Sequence, residues 1–83
     1  MKNYLITFRS ITYAQRAEQV LEREGIHCNL RRTPRWMEQR GCGYGIEAKM
    51  ADGTMATGIL SREGIAYRKV YRLTADGGVE ELI

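Results

Sequence analysis

A chain of 83 residues suffices for one domain with a modest core and excludes a buried cleft between two lobes, so any site should be shallow. Thirteen basic residues against ten acidic ones give a net charge of +3, and ten of the basic residues are arginines, whose planar forks favour carboxylate, phosphate and similar anions. Two cysteines with no CxxC pair make no disulfide framework, and no stretch reads as a signal peptide or membrane span. A reduced, cytoplasmic setting with two free thiols is expected.

The chain opens on Tyr4 to Phe8, YLITF, a β-branched and aromatic run of strand character. Ser10 or Thr12 can cap a helix in which Tyr13, Ala14, Ala17, Val20 and Leu21 form one apolar stripe, and Gly25 stands where a left-handed C′ residue belongs. Ile26 to Arg32 alternates, Cys28 and Leu30 facing one way and His27, Asn29 and Arg31 the other. Tyr44 to Met50 alternates again, with Tyr44, Ile46 and Ala48 opposed to Glu47 and Lys49. Asp52 to Glu63 predicts a second helix, weakened by Gly53, Gly58 and two threonines and ended by Gly64. A fourth strand follows over Tyr67 to Leu73, with Tyr67, Lys69, Tyr71 and Leu73 on one face. Asp76-Gly77-Gly78 is a hairpin signal, after which Val79 to Ile83 can return as a short edge strand.

An internal echo supports this layout. Leu21-Glu22-Arg23-Glu24-Gly25-Ile26 recurs as Leu60-Ser61-Arg62-Glu63-Gly64-Ile65, each time a helix end turning through glycine into a strand. Two tandem strand-helix-strand units with right-handed crossovers give an α+β, ferredoxin-like βαββαβ sandwich: a four-stranded antiparallel sheet, two helices on one face and an extra C-terminal edge strand. Residues 1–73 are expected to form the domain, and 74–83 a hairpin extension.

The stretch that this frame leaves irregular is Thr33 to Ile46, TPRWMEQRGCGYGI, which holds the only proline, the only tryptophan and Cys42 between Gly41 and Gly43. The glycines remove the side chains that would cover a thiol. The parallel first and second strands should put this loop at the same end of the sheet as the start of the first helix. Arg9, Ser10 and the free amides of that helix then share an edge with Cys42, Arg35 and Arg40, and with Arg31 and Arg32 before the loop. Such a positive surround favours an anion and a thiolate at neutral pH. Cys28, in mid-strand beside Leu30, reads instead as a buried, inert residue.

At these residues the sequence resembles a known family. YLITFRS, a helix ending LEREGI, a strand leading into Thr33-Pro34-Arg35 and on to Cys42-Gly43, and then GIAYRKVYRL look like the selenium/sulfur carrier-like family of small bacterial proteins, over roughly Tyr4 to Leu73. The resemblance implies an accessory protein, not a complete enzyme. Its loop cysteine, here Cys42, would carry sulfur or selenium as a persulfide or selenosulfide between donating and accepting proteins, without a cofactor.

Other signals are weaker. His27, Cys28 and Cys42 supply metal-ligand types with no zinc or iron spacing. Gly41-x-Gly43-x-Gly45 precedes a strand and lacks the Lys-Ser/Thr of a phosphate cradle. Two further classes compete with a carrier: an interaction or regulatory module that dimerises through the open sheet face or the tail strand, and, ranked last, an RNA-binding domain. YGIEAKM lacks the paired aromatics an RNA-recognition sheet needs.

Overall fold

The computed structural model describes residues 2–33 and 43–82. Their element order is β1 (Lys2–Thr7), α1 (Ile11–Arg23), β2 (Cys28–Arg32), β3 (Tyr44–Met50), α2 (Gly53–Arg62), β4 (Val70–Leu73) and β5 (Val79–Glu81). The strands form one antiparallel sheet in the order β2-β3-β1-β4-β5. The order of the first four is compatible with a ferredoxin-like sandwich, and the sheet has five strands because β5 continues it beyond β4.

Local chemistry starts and stops both helices. Ser10 is extended at φ −137°, and its hydroxyl accepts from the Tyr13 amide at 3.3 Å. Asp52 does the same for α2, accepting from the Thr54 amide at 2.9 Å, a bond that holds its carboxyl below the usual carboxylate range. At the other ends the echo in the sequence is an echo in geometry. The Ile26 amide donates to Leu21 O at 2.9 Å and the Gly25 amide to Glu22 O at 3.0 Å. The Ile65 amide likewise donates to Leu60 O at 2.9 Å and the Gly64 amide to Ser61 O at 3.2 Å, so both ends are Schellman motifs. Gly25 and Gly64 sit at φ 85° and 71°, in the left-handed region. Gly25→Ala and Gly64→Ala should each cost about 1 kcal/mol or slightly more by that penalty alone. Chemical denaturation of the two variants checks this, and an unchanged midpoint would contradict it.

The two motifs also meet. Arg23 pairs with Glu63 at 3.4 Å and Arg62 with Glu24 at 3.2 Å, a reciprocal exchange between matched positions of the two halves. All four side chains are substantially solvated, so the exchange records the pseudo-symmetry more than it stabilises it.

One face of the sheet carries the core. Tyr4 and Ile6 of β1, Ile46, Ala48 and Met50 of β3, Cys28 of β2 and Val70 of β4 pack, with Phe8 just beyond β1, against Ala14, Ala17, Val20 and Leu21 of α1 and Ala56 and Leu60 of α2. The alternation predicted for β2 and β3 holds. That predicted for the fourth strand does not. Thr7 donates to Lys69 O at 2.9 Å and accepts from the Arg68 amide at 2.7 Å, so two residues oppose one in a β-bulge. The extra residue resets the alternation. Tyr67 packs on the core with Val70, while Tyr71 and Leu73 pair with Leu5 and Asn3 on the helix-free face.

The tail closes as its hairpin signal requires. The Thr74 amide donates to Gly78 O at 2.9 Å, Asp76 accepts from the Thr74 hydroxyl and the Gly78 amide, and Gly77 is left-handed at φ 85°. Two pairs tie β5 across β4: Arg72 to Glu80 at 2.7 Å, and Lys69 to Glu81 at 2.9 Å.

Candidate functional site

The segment between β2 and β3 leaves and rejoins the sheet through a closed neck. Below it Arg31 opposes Gly45 and Arg32 opposes Tyr44 in the ladder, and the Thr33 amide donates to Gly43 O at 2.8 Å, adding one more rung. Gly43 takes φ 83°, which turns the chain into β3 at little steric cost. The Arg32 guanidinium lies 5.5 Å from the Tyr44 ring centroid, in cation–π range. Thr33 is buried at 7 % exposure, and its hydroxyl has no hydrogen-bond partner among the described residues.

The register fixes where this neck stands. Thr7, the last residue of β1, opposes Gly45 of β3, which in turn opposes Arg31 of β2. The neck is therefore about one to two strand widths, roughly 5 to 10 Å, from the chain that continues through Phe8, Arg9 and Ser10 into α1. Phe8 is fully buried and anchors that turn, while Arg9 is exposed. The first turn of α1 holds no acidic side chain, so no carboxylate of that turn offsets the positive end of the helix dipole at this edge.

Of the residues expected to make the site, Arg9, Ser10 and Gly43 are brought to this one end of the sheet. Cys42, Gly41, Arg35 and Arg40 lie outside the described residues, as does Trp36. Two bracketing arginines have structural work at the stem: Arg31 pairs with Glu47 at 2.7 Å and Arg32 covers Tyr44. Ser10 spends its hydroxyl on the helix cap.

Cys28 has the character expected of a structural thiol. It is 1 % exposed, its Sγ stands 3.6 Å from the Glu18 carbonyl, and burial, with help from the Glu22 and Glu18 carboxylates, pushes the thiol up to about 11. At neutral pH it is protonated and out of reach.

Elsewhere, a pocket of about 200 Å³ lined by Tyr4, Asp52, Gly53, Thr54, Thr57, Val70 and Leu82 opens at the start of α2, at the opposite end of the sheet. No group of three or more potential metal ligands occurs among the described residues. No described helix is long and apolar enough to cross a membrane. On the helix-free face β1 and β3 present Asn3, Leu5, Thr7, Gly45, Glu47 and Lys49, and β4 adds Tyr71 beside Leu5.

A family model described as putative Se/S carrier protein-like matches residues 3–72, which runs from the second residue of β1 to the third of β4. The chain belongs to that family. β5 falls beyond the matched span of this carrier-like family, as an addition to the edge that β4 would otherwise present. No curated protein and no solved structure gives a significant match to the chain.

Sequence reasoning missed one contact near the site. The Glu18 carboxylate accepts from the Leu30 amide at 3.0 Å, bridging α1 to β2 across eleven intervening residues. No local signal marks it, because Glu18 reads as an ordinary polar position on an amphipathic helix.

Proposed function

We propose that the chain is an accessory carrier that holds a sulfur or selenium atom on Cys42, as a persulfide or selenosulfide, and passes it between a donor and an acceptor protein in a reducing, cytoplasmic setting. The observation that carries this reading is the family match over residues 3–72. The state of Cys28 supports it: with one of the two thiols buried and protonated, Cys42 is the other candidate for the cargo.

The chemistry needs one nucleophile. The Cys42 thiolate attacks the outer sulfur of a persulfide on the donor. The donor's S–S bond breaks, the donor cysteine leaves as a thiolate, and Cys42 holds the sulfane sulfur. An acceptor thiolate repeats the attack and regenerates the Cys42 thiolate, so no oxidant or reductant enters either step. A second accessible thiol nearby would expel the cargo and close a disulfide, and burial of Cys28 removes that route. In this reading Arg9, Arg35, Arg40, the Gly41 and Gly43 backbone and the α1 terminus with Ser10 favour the anionic thiolate and its charged cargo. Residues 1–73 form the carrier unit, and the hairpin of 74–83 is dispensable for loading.

Incubation of the reduced protein with a persulfide donor, followed by intact mass and peptide mapping, tests this. Cys42 is expected to gain one sulfur atom, released by reductant. Cys42→Ser should gain none, and Cys28→Ser should load as the parent does. Loading that is absent, or equal at both cysteines, would overturn the assignment.

A further inference from the structure

The sheet has two outer strands, β2 and β5, and each presents a row of backbone groups that another strand could use. Hydrogen bonds at the ends of each ladder show which groups face out. Thr33 and His27 bond to β3 through the Thr33 amide and the His27 carbonyl, so by alternation Cys28, Leu30 and Arg32 turn their amides away from the sheet. On β5 the Leu82 amide and the Gly78 carbonyl bond to β4, which leaves Val79 and Glu81 facing out.

The two edges are protected differently. β5 has three residues, and both Glu80 and Glu81 are exposed, so a short acidic edge opposes its own copy. β2 has five residues, and its central outward amide, that of Leu30, is taken by the Glu18 carboxylate at 3.0 Å. The Glu18 carbonyl meets Cys28 Sγ at 3.6 Å, which fixes this turn of α1 alongside the strand.

We propose that Glu18 is an edge guard: by capping the Leu30 amide it keeps β2 from pairing with β2 of a second copy of this chain. A second copy is the occupant that the strand's own sequence suits. A two-fold axis through Leu30 sets Leu30 against Leu30, Cys28 opposite Arg32 and Asn29 opposite Arg31, so no arginine faces another directly. The guard matters at this strand in particular because β2, with five residues against three in β5, is the longer of the two outer strands.

The test replaces Glu18 with alanine in the full chain. Light scattering over a range of concentrations should find the parent monomeric and Glu18→Ala in a concentration-dependent dimer. In dilute solution the Leu30 amide of Glu18→Ala should exchange with solvent about ten- to a hundredfold faster than in the parent. As concentration rises, the amides of Cys28, Leu30 and Arg32 should become protected together. Glu22→Ala, which removes a neighbouring carboxylate that caps no β2 amide, should match the parent in both readouts. If Glu18→Ala does not fold, Glu18→Gln, which keeps the size and loses the charge, should show the same changes in weaker form. A variant that stays monomeric at every concentration, or Leu30 exchange equal to the parent's, would overturn the proposal, as would a parent that already dimerises through β2.

Discussion

Gly45→Ala is expected to lower stability by about 1 to 3 kcal/mol, a fall in melting temperature of about 5 to 20 °C for a domain of this size. The cause is space, not conformation, since Gly45 has no left-handed backbone. A Cβ at this position would stand 2.7 Å from the Ile6 carbonyl oxygen and 3.3 Å from Leu5 Cδ1. The carbonyl belongs to β1, the central strand of the sheet, and cannot yield without disturbing the pairing of Ile6 with Ile46. Gly58 supplies the contrast. It lies exposed inside α2 with nothing within 4 Å of a built Cβ, so Gly58→Ala should stabilise by about 0.5 to 1 kcal/mol through helix propensity. Thermal melts of the two variants side by side decide the matter, and a Gly45→Ala midpoint within a degree of the parent would remove the close-approach argument.

The second large effect concerns Cys28. In a Cys42→Ser background an alkylating reagent should modify native Cys28 at least about a thousandfold more slowly than the denatured chain, because reaction has to wait for opening of a domain stabilised by several kcal/mol. The same thiol sets a pH dependence. In the unfolded chain it ionises in the ordinary thiol range, whereas in the folded chain it keeps its proton until about 11. Stability from this group is therefore complete below the ordinary thiol range and is lost as pH rises through it towards about 11. Urea midpoints measured across that window should fall for the parent and fall less steeply for Cys28→Ala. Rapid native labelling of Cys28, or identical slopes, would mean that the thiol is not sequestered.

Much of the frame could be read from the chain because its determinants are local. Ser10 and Asp52 cap through amides two or three residues on, and the turns at Gly25 and Gly64 terminate helices through bonds to residues three or five back. The period-two alternation of Cys28–Arg32 and Tyr44–Met50 identified the buried face of each strand before any partner was known. The repeated LxREGI segment pointed to two matched halves, and right-handed crossovers then limited the order of the strands. Placement of the loop neck beside the start of α1 followed from that order.

What the chain could not disclose depended on residues distant in sequence. Tyr67 faces the core, against the strand's simple alternation, because the bulge at Arg68 and Lys69 arises from how Thr7 bonds across to them, about sixty residues away. Gly45 looked like part of a glycine-rich loop, and its real constraint is the Ile6 carbonyl of a neighbouring strand. Arg31 and Arg32 looked available for an anion until Glu47 and Tyr44, set beside them by strand pairing, engaged them. Glu18 reads as one more polar position until α1 is laid along β2. By itself, then, the sequence determined the helices, the turns, the buried faces of β2 and β3 and which cysteine belongs to the core, since each follows from bonds within a few residues or from a periodicity. The tertiary structure alone decided which charges are spent on the scaffold, where a side chain has no room and which sheet edge is closed, because each of these is a distance between segments that the chain brings together only when it folds.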